Sequence, residues 1–212
     1  GAMFNLDYVP EMVPAGVTVV GFLDSALWVD AGPPLPQETA KVLVMANATA
    51  RLGHGCAHKF PPEEHWKCLF GQYRAPTVKL PFFISASQYD SFQLSTNLGH
   101  APPYSSKESL YVAAFREKVA GSLLSLPSSV SAYSLACFKH CVSEEEGFSE
   151  MTVKDEYGVG LSLLDTLIAS NFPHSFGVKV VDGCNGFQCG CPAREPSGIP
   201  DNERARMGRR RR

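Results

Sequence analysis

The sequence has no run of about 18 apolar residues and no basic, apolar leader at Gly1. These absences predict neither a membrane-spanning helix nor a signal peptide, so we expect the chain to begin at a processed, tagged or truncated end. Strong positive charge is also missing, because the net charge at pH 7 is -2. Residues 201–212 contribute +4 and the remainder -6, which argues against a globally basic nucleic-acid-binding protein.

With 212 residues, 44% of them hydrophobic, the chain is long enough to bury a full core. We assign residues 1–192 to one domain. Residues 193–212 have loop composition and end in an arginine run, which predicts a disordered, solvated tail. Binding of polyanions by these arginines is the alternative for the tail.

Short apolar runs alternate with helical periodicity along the chain, which predicts an α/β fold with a mostly parallel sheet. The best-defined helix, residues 106–126, starts at a capping box of Ser105 and Glu108, stops at Pro127 and places Leu110 on its apolar face. The other predicted elements are helices at 36–50 and 155–170 and strands at 17–23, 77–86, 130–136 and 178–182.

Two titratable residues follow the second and third predicted strands. Asp90 comes after the second strand and His140 after the third. Because function collects at the carboxyl ends of strands in open α/β sheets, this pair is the first candidate for chemistry. A carboxylate on the far nitrogen of an imidazole fixes its tautomer and stabilises the protonated form, as general-base catalysis requires. The simpler alternative is an Asp that caps a helix or turn and a His that is packed.

The sequences around this pair resemble the pectin acetylesterase and Notum family of secreted carboxylesterases. The similarity extends to about Pro192, and its pieces occur in the order and spacing of that family. They are 20–30 (Val-Gly-Phe-Leu-Asp-Ser-Ala-Leu-Trp-Val-Asp), 66–70 (Trp-Lys-Cys-Leu-Phe), 81–84 (Pro-Phe-Phe-Ile), 89–94 (Tyr-Asp-Ser-Phe-Gln-Leu), 136–141 (Ala-Cys-Phe-Lys-His-Cys) and 180–184 (Val-Val-Asp-Gly-Cys).

The resemblance implies an α/β hydrolase with a Ser-Asp-His triad in which Asp90 is the acid and His140 the base. The family's serine lies in a Gly-x-Ser-Ala-Gly-Gly elbow, and no Gly-x-Ser-x-Gly sequence occurs in this chain. We therefore expect residues 1–192 to be the carboxyl-terminal part of the hydrolase domain, with the nucleophile and oxyanion loop in a missing amino-terminal half. Alternatively, Gly1 and Ala2 are a scar of tag removal. The fragment alone is expected to be inactive, and the resemblance implies no cofactor and no metal.

Seven cysteines in a chain of this length are many, and their odd number leaves at least one without a partner within the chain. The resemblance implies a disulfide between Cys56 and Cys68. A zinc site built from these two with His54, His58 and His65 is the alternative. Bridges from Cys137 and Cys141 to the group Cys184, Cys189 and Cys191 would fix the loop of His140, with the connectivity left open.

The substrate implied by the resemblance is an acetyl ester on a cell-wall polysaccharide such as pectin. Cys141 directly after His140, together with Tyr89, Asp90 and Ser91, is closer to the pectin acetylesterase pattern than to Notum. Removal of a fatty acyl group from a protein is the first alternative, and a non-catalytic carbohydrate-binding pseudoenzyme is the second. The family setting implies secretion, to the extracellular space or the cell wall.

Two further sites carry weaker expectations. The sequon at Asn47, followed by Ala48 and Thr49, is a candidate for N-glycosylation within the predicted helix 36–50. Asp24 and Ser25 follow the first predicted strand, and we interpret them as cap or turn residues.

Overall fold

A four-stranded parallel sheet forms the centre of the fold. The computed structural model describes residues 2–145, 148–154, 159–187 and 189–191, without the side chain of His54. In this sheet the first three strands of the chain lie side by side in chain order and the sixth lies next to the third, whereas the fourth and fifth form a separate antiparallel pair. The predicted α/β class with a mostly parallel sheet is confirmed. The strands are β1 (Gly21–Asp24), β2 (Phe82–Ser85), β3 (Val130–Ser134), β4 (Thr152–Lys154), β5 (Gly160–Ser162) and β6 (Lys179–Val181).

Helices and single helical turns connect the strands. The α-helices are α1 (Ala2–Asn5), α2 (Leu35–Met45), α3 (His54–Ala57), α4 (Gly71–Arg74), α5 (Ser91–Leu98), α6 (Ser106–Leu124) and α7 (Leu163–Ala169). Short 3-10 segments are Leu6–Met12, Thr49–Arg51, Pro62–Leu69, Ala75–Thr77 and Val142–Glu144. Within the described residues, no helix combines the length and the apolar character needed to cross a bilayer.

The two central strands, β2 and β3, are buried along their whole length, as expected when helices cover both faces of a parallel sheet. Phe82 and Ile84 pack on the side of α6, whereas Phe83 and Tyr133 belong to a second cluster with α7 and the β4-β5 pair. Alternate side chains of one strand therefore enter two different cores.

The capping box of Ser105 and Glu108 is confirmed at the start of α6. The face predicted for this helix is partly wrong, because Leu110 is exposed. The buried stripe follows three- and four-residue steps, and Leu110 falls opposite it on a helix of 3.6 residues per turn. This stripe consists of Val112, Phe115, Val119 and Leu123.

The predicted strands exist but are shorter. We predicted 77–86, and β2 begins only at Phe82 because Pro81 has no N–H for the ladder. Residues 17–20 are not strand, and β1 starts at Gly21, whose N–H donates to the carbonyl of Pro81 at 3.1 Å.

Two predicted helices end or begin elsewhere. Helix 36–50 stops at Met45, since Asn47 has a positive φ of 46° and cannot continue it. Helix 155–170 is wrong over residues 159–162, which include β5, and α7 begins at Leu163, where Ser162 and Asp165 form a second capping box. Residues 155–158 and the arginine tail at 193–212 lie outside the described residues.

Replacing Ser105 with Ala removes the hydroxyl that accepts the backbone N–H of Glu108. We expect the free energy of unfolding to fall by about 1 kcal/mol. Urea denaturation of the 212-residue chain measures the change, with the exposed Ser109→Ala in the same helix as the control. An equal effect of the two substitutions would contradict the capping role.

Candidate active site

Asp90 lies directly beyond the carboxyl end of β2, at the first residue before α5. Its side chain is only 4% exposed. One oxygen, Oδ1, accepts the backbone N–H of Gln93 at 2.8 Å and so caps the helix. The other oxygen, Oδ2, lies 2.7 Å from Nδ1 of His140. Helix capping and the imidazole contact therefore use different oxygens of one buried carboxylate.

His140 lies beyond the carboxyl end of β3, with its side chain 30% exposed. The hydrogen bond to Asp90 is the main cause of a raised pKa of the imidazole. Partial burial lowers this pKa, and the charges of Asp90, Asp24 and Glu144 raise it. Because a carboxylate only accepts hydrogen bonds, Nδ1 carries the hydrogen and Nε2 is left as the basic atom of the neutral ring.

Backbone bonds beyond β2 and β3 hold the two loops together. The N–H of Gln88 donates to the carbonyl of Leu135 at 2.8 Å, and the N–H of Ser91 donates to that of Lys139 at 3.1 Å. The parallel pairing therefore continues past the strands as far as the residues adjoining Asp90 and His140. This is the arrangement predicted from the sequence for the carboxyl edge of neighbouring strands.

An aromatic row beside His140 was not predicted from the sequence. The ring of Phe92, which is 47% exposed, lies 5.5 Å from the imidazole and 5.6 Å from the ring of Trp28 between centroids. The buried amide of Gln93 fixes the segment of Trp28 by accepting the N–H of Val29 at 2.9 Å and donating to the carbonyl of Leu27 at 3.1 Å. Sequence spacing gives no signal for a contact between α5 and the loop after β1.

Asp24 is the last residue of β1 and Ser25 forms the bend after it, so only Ser25 fits the predicted cap or turn, and both residues join this segment to the loop after His140. Oδ2 of Asp24 accepts hydrogen bonds from the N–H and the hydroxyl of Ser143, at 2.8 and 2.6 Å. The hydroxyl oxygen of Ser25 accepts the N–H of Cys141 at 2.7 Å. The residues that follow the imidazole are thus attached to a strand two positions away in the sheet.

A cavity of about 470 Å³ adjoins the aromatic row, within the range of roughly 300–1,000 Å³ typical of small-molecule sites. Asp24, Ser25 and Trp28 form one side of it. Most of the remaining wall is apolar and comes from α1, α2 and the segment before α4; it includes Met3, Phe4, Val42, Leu43, Ala46 and Leu69.

Six of the seven cysteines form disulfides. Cys56 pairs with Cys68, in agreement with the pairing implied by the resemblance, so the alternative zinc site loses its two thiolates. Within the described residues, no group of three or more His, Cys, Asp and Glu side chains is placed to hold a metal ion.

The remaining disulfides differ in part from expectation. Cys137 is bridged to Cys191, as expected for a link from the loop of His140 to the cysteine group. Cys184 pairs with Cys189 within that group, and Cys141 stays a free thiol. The predicted bridge from Cys141 is therefore wrong. The N–H of Cys141 donates to Ser25, and the residue lies in the left-handed region with a φ of 54°.

The sequon asparagine, Asn47, lies in the turn after α2 and is exposed. A turn beyond the end of a helix is a more accessible position than the helix interior that we predicted.

The chain is similar to known proteins in sequence and in fold. A family model described as Pectinacetylesterase matches residues 1–156. Human palmitoleoyl-protein carboxylesterase NOTUM is 26% identical over 221 residues, covering 91% of this chain and 43% of the human protein. The Drosophila melanogaster palmitoleoyl-protein carboxylesterase NOTUM is 26% identical over 170 residues, covering 73% of this chain and 24% of that protein.

The solved structure of the Wnt deacylase Notum from Drosophila is similar in fold, with a TM-score of 0.75 at 21% identity. The likeness covers 91% of this chain and 55% of that chain, and it shows an α/β-hydrolase-like fold. The chain thus spans about half, or less, of the length of these relatives.

Replacing Asp90 with Asn removes the charge that raises the pKa of His140 but keeps a good helix cap. We expect the pKa of His140 to fall, so that more of the ring is neutral at a given pH. NMR titration of the ring C–H signals measures this directly, and an unchanged titration would contradict the pairing. A His pKa that is higher in the folded than in the unfolded chain stabilises the fold at acidic pH, and this stabilisation is lost as the pH rises through the pKa of the folded chain. We therefore expect Asp90→Asn to lower the free energy of unfolding more at about pH 5 than at about pH 9.

Proposed function

The chain belongs to the pectinacetylesterase family, and from this premise we propose that it supplies the acid and base of a carboxylesterase triad. Asp90 is the acid and His140 the general base. The observation that carries the proposal is the 2.7 Å hydrogen bond between Asp90 Oδ2 and His140 Nδ1, made by a buried carboxylate at the carboxyl edge of the sheet.

In the proposed reaction, a serine hydroxyl attacks the ester carbonyl while Nε2 of His140 takes its proton. Asp90 stabilises the imidazolium through Nδ1. His140 then gives the proton to the departing alcohol, leaving the acyl group on the serine. In the second half, His140 takes a proton from the water that attacks this acyl ester, and returns it to the serine as the acid is released.

Polypeptide outside this sequence supplies the serine and completes the sheet. No Gly-x-Ser-x-Gly sequence occurs in residues 1–212. Two observations support the added polypeptide: the chain covers only 43% of its human relative, and β1 lies at an edge of the sheet with Phe22 40% exposed. A further strand beside β1 would pair this edge and cover Phe22.

Residues 1–212 alone should therefore show no esterase activity above background. A fluorophosphonate probe and hydrolysis of p-nitrophenyl acetate test this, with the heat-denatured chain as the control for non-specific labelling. Labelling of a serine within residues 1–212 would overturn the assignment of the nucleophile to another segment. The full-length polypeptide should be labelled, and a full-length protein without a reactive serine would be a pseudoenzyme.

Two substrate classes are in question. The pattern of Cys141 after His140 favours acetyl esters of a cell-wall polysaccharide, hydrolysed by a secreted enzyme. The apolar cavity beside Trp28 favours the second candidate, a longer acyl chain on a protein, because an acetyl group fills little of about 470 Å³. The names of the curated relatives, palmitoleoyl-protein carboxylesterases, agree with the second candidate. The three disulfides support an oxidising, extracellular location for either.

The ring of Phe92 contacts both His140 and Trp28, and Trp28 lines the cavity. We infer that Phe92 restricts passage from His140 into the cavity. In the full-length protein, Phe92→Ala should raise hydrolysis of long acyl esters relative to acetyl esters by about tenfold, the lower end of the scale for one methylene in a pocket. Rates of acetate release from acetylated pectin and of octanoate release from an acylated peptide measure the ratio. Phe176→Ala, which removes a ring elsewhere, should leave the ratio unchanged. Unaltered chain-length preference in Phe92→Ala would contradict the restriction.

A further inference from the structure

The loop that follows the base is fixed by one carboxylate from another strand. We propose that Asp24 is the positioning residue of His140: it anchors residues 141–143 to the end of β1 and so sets the direction of the imidazole. The proposal rests on the proposed function, because His140 needs this alignment only as a general base.

The anchor consists of four hydrogen bonds. Asp24 Oδ2 accepts the N–H of Ser143 at 2.8 Å and its hydroxyl at 2.6 Å. Ser25 donates its hydroxyl to Asp24 Oδ1 at 3.3 Å and accepts the N–H of Cys141 at 2.7 Å. The N–H groups of Cys141 and Ser143 are thus both bound by the dipeptide of Asp24 and Ser25, and both oxygens of the Asp24 carboxylate accept hydrogen bonds.

The dipeptide is itself rigid. The N–H of Ser25 donates to the carbonyl of Ser85 at 2.8 Å, which extends the pairing of β1 with β2 by one residue. Ser25 is buried and has a φ of 54°, an unfavourable conformation for a residue with a Cβ. Asp24 therefore attaches the loop to the central sheet.

The loop needs such an anchor because its own conformation is unfavourable. Cys141 also has a φ of 54°, and Val142–Glu144 makes a single 3-10 turn. Asp24 holds Ser143 directly and orients the Ser25 hydroxyl that accepts the N–H of Cys141, so loss of its carboxylate would let residue 141 relax toward an ordinary backbone conformation. His140 immediately precedes it, so its ring would turn away from Asp90.

The charge of Asp24 has an effect that can be separated from the anchoring. The charged groups that act on the imidazole are Asp90, Asp24 and Glu144. The negative charge of Asp24 raises the pKa of His140 and also that of the Cys141 thiol. Asp24→Asn removes this charge but keeps an oxygen that can accept the N–H of Ser143, whereas Asp24→Ala removes both.

Cys141 is a built-in probe of the loop, because the other six cysteines form disulfides. In the 212-residue chain, we expect Asp24→Ala to speed labelling of Cys141 by a thiol reagent about tenfold beyond Asp24→Asn, the scale for losing one or two hydrogen bonds to a neutral acceptor. Both variants should lower the pKa of His140 in an NMR titration. Asp30→Asn, which changes another carboxylate of the same segment, should alter neither quantity.

The same variants in the full-length protein separate the two proposals. With the proposed function correct, Asp24→Ala lowers kcat with little change in KM, and Asp24→Asn recovers part of the loss. If the wild-type protein is inactive but the labelling and titration results hold, the proposed function is wrong and the anchoring role of Asp24 remains.

If Asp24→Ala is folded and its Cys141 is labelled no faster than in Asp24→Asn, the anchoring role of Asp24 is wrong. Should Asp24→Ala fail to fold, Ser143→Ala must speed labelling above wild type, and an unchanged rate would overturn the proposal.

Discussion

The parallel pairing of β2 with β3 is the constraint on which the candidate site depends. The register places Phe82 opposite Val130 and Ser85 opposite Tyr133, and both strands are buried throughout. Beyond the strands, the N–H of Ala86 donates to the carbonyl of Tyr133 at 3.0 Å, so the pairing continues toward the loops. A shift of register by one residue would exchange the two buried faces and separate Asp90 from His140.

The loop of His140 is supported from three directions. Asp90 holds the ring, and Asp24 with Ser25 holds the residues after it. On the side of β6, Cys137 is bridged to Cys191, and Oδ2 of Asp182 accepts the N–H of Ala136 at 3.2 Å. In the proposed mechanism His140 must keep one orientation through repeated proton transfers, and support from three sides serves this requirement.

Local signals in the sequence were sufficient for the capping box at Ser105, the four strands of the sheet and the approach of Asp90 to His140. These features follow from short-range chemistry or from the rule that parallel strands end at one edge. The start of α7 at Leu163 was missed, although Ser162 and Asp165 form the same type of cap. The contacts of Phe92 and Asp24 could not be predicted, because each joins segments far apart in the chain whose meeting depends on the completed sheet.

The position of β1 has a consequence for the behaviour of the chain in solution. In the described residues β1 pairs with β2 alone, and its outer edge carries free backbone groups beside the exposed ring of Phe22. Such an edge is a template on which another molecule can add a strand. Intermolecular association through β1 would therefore compete with correct assembly. The extent to which residues 1–212 associate will rise with protein concentration and fall when another strand already occupies this edge.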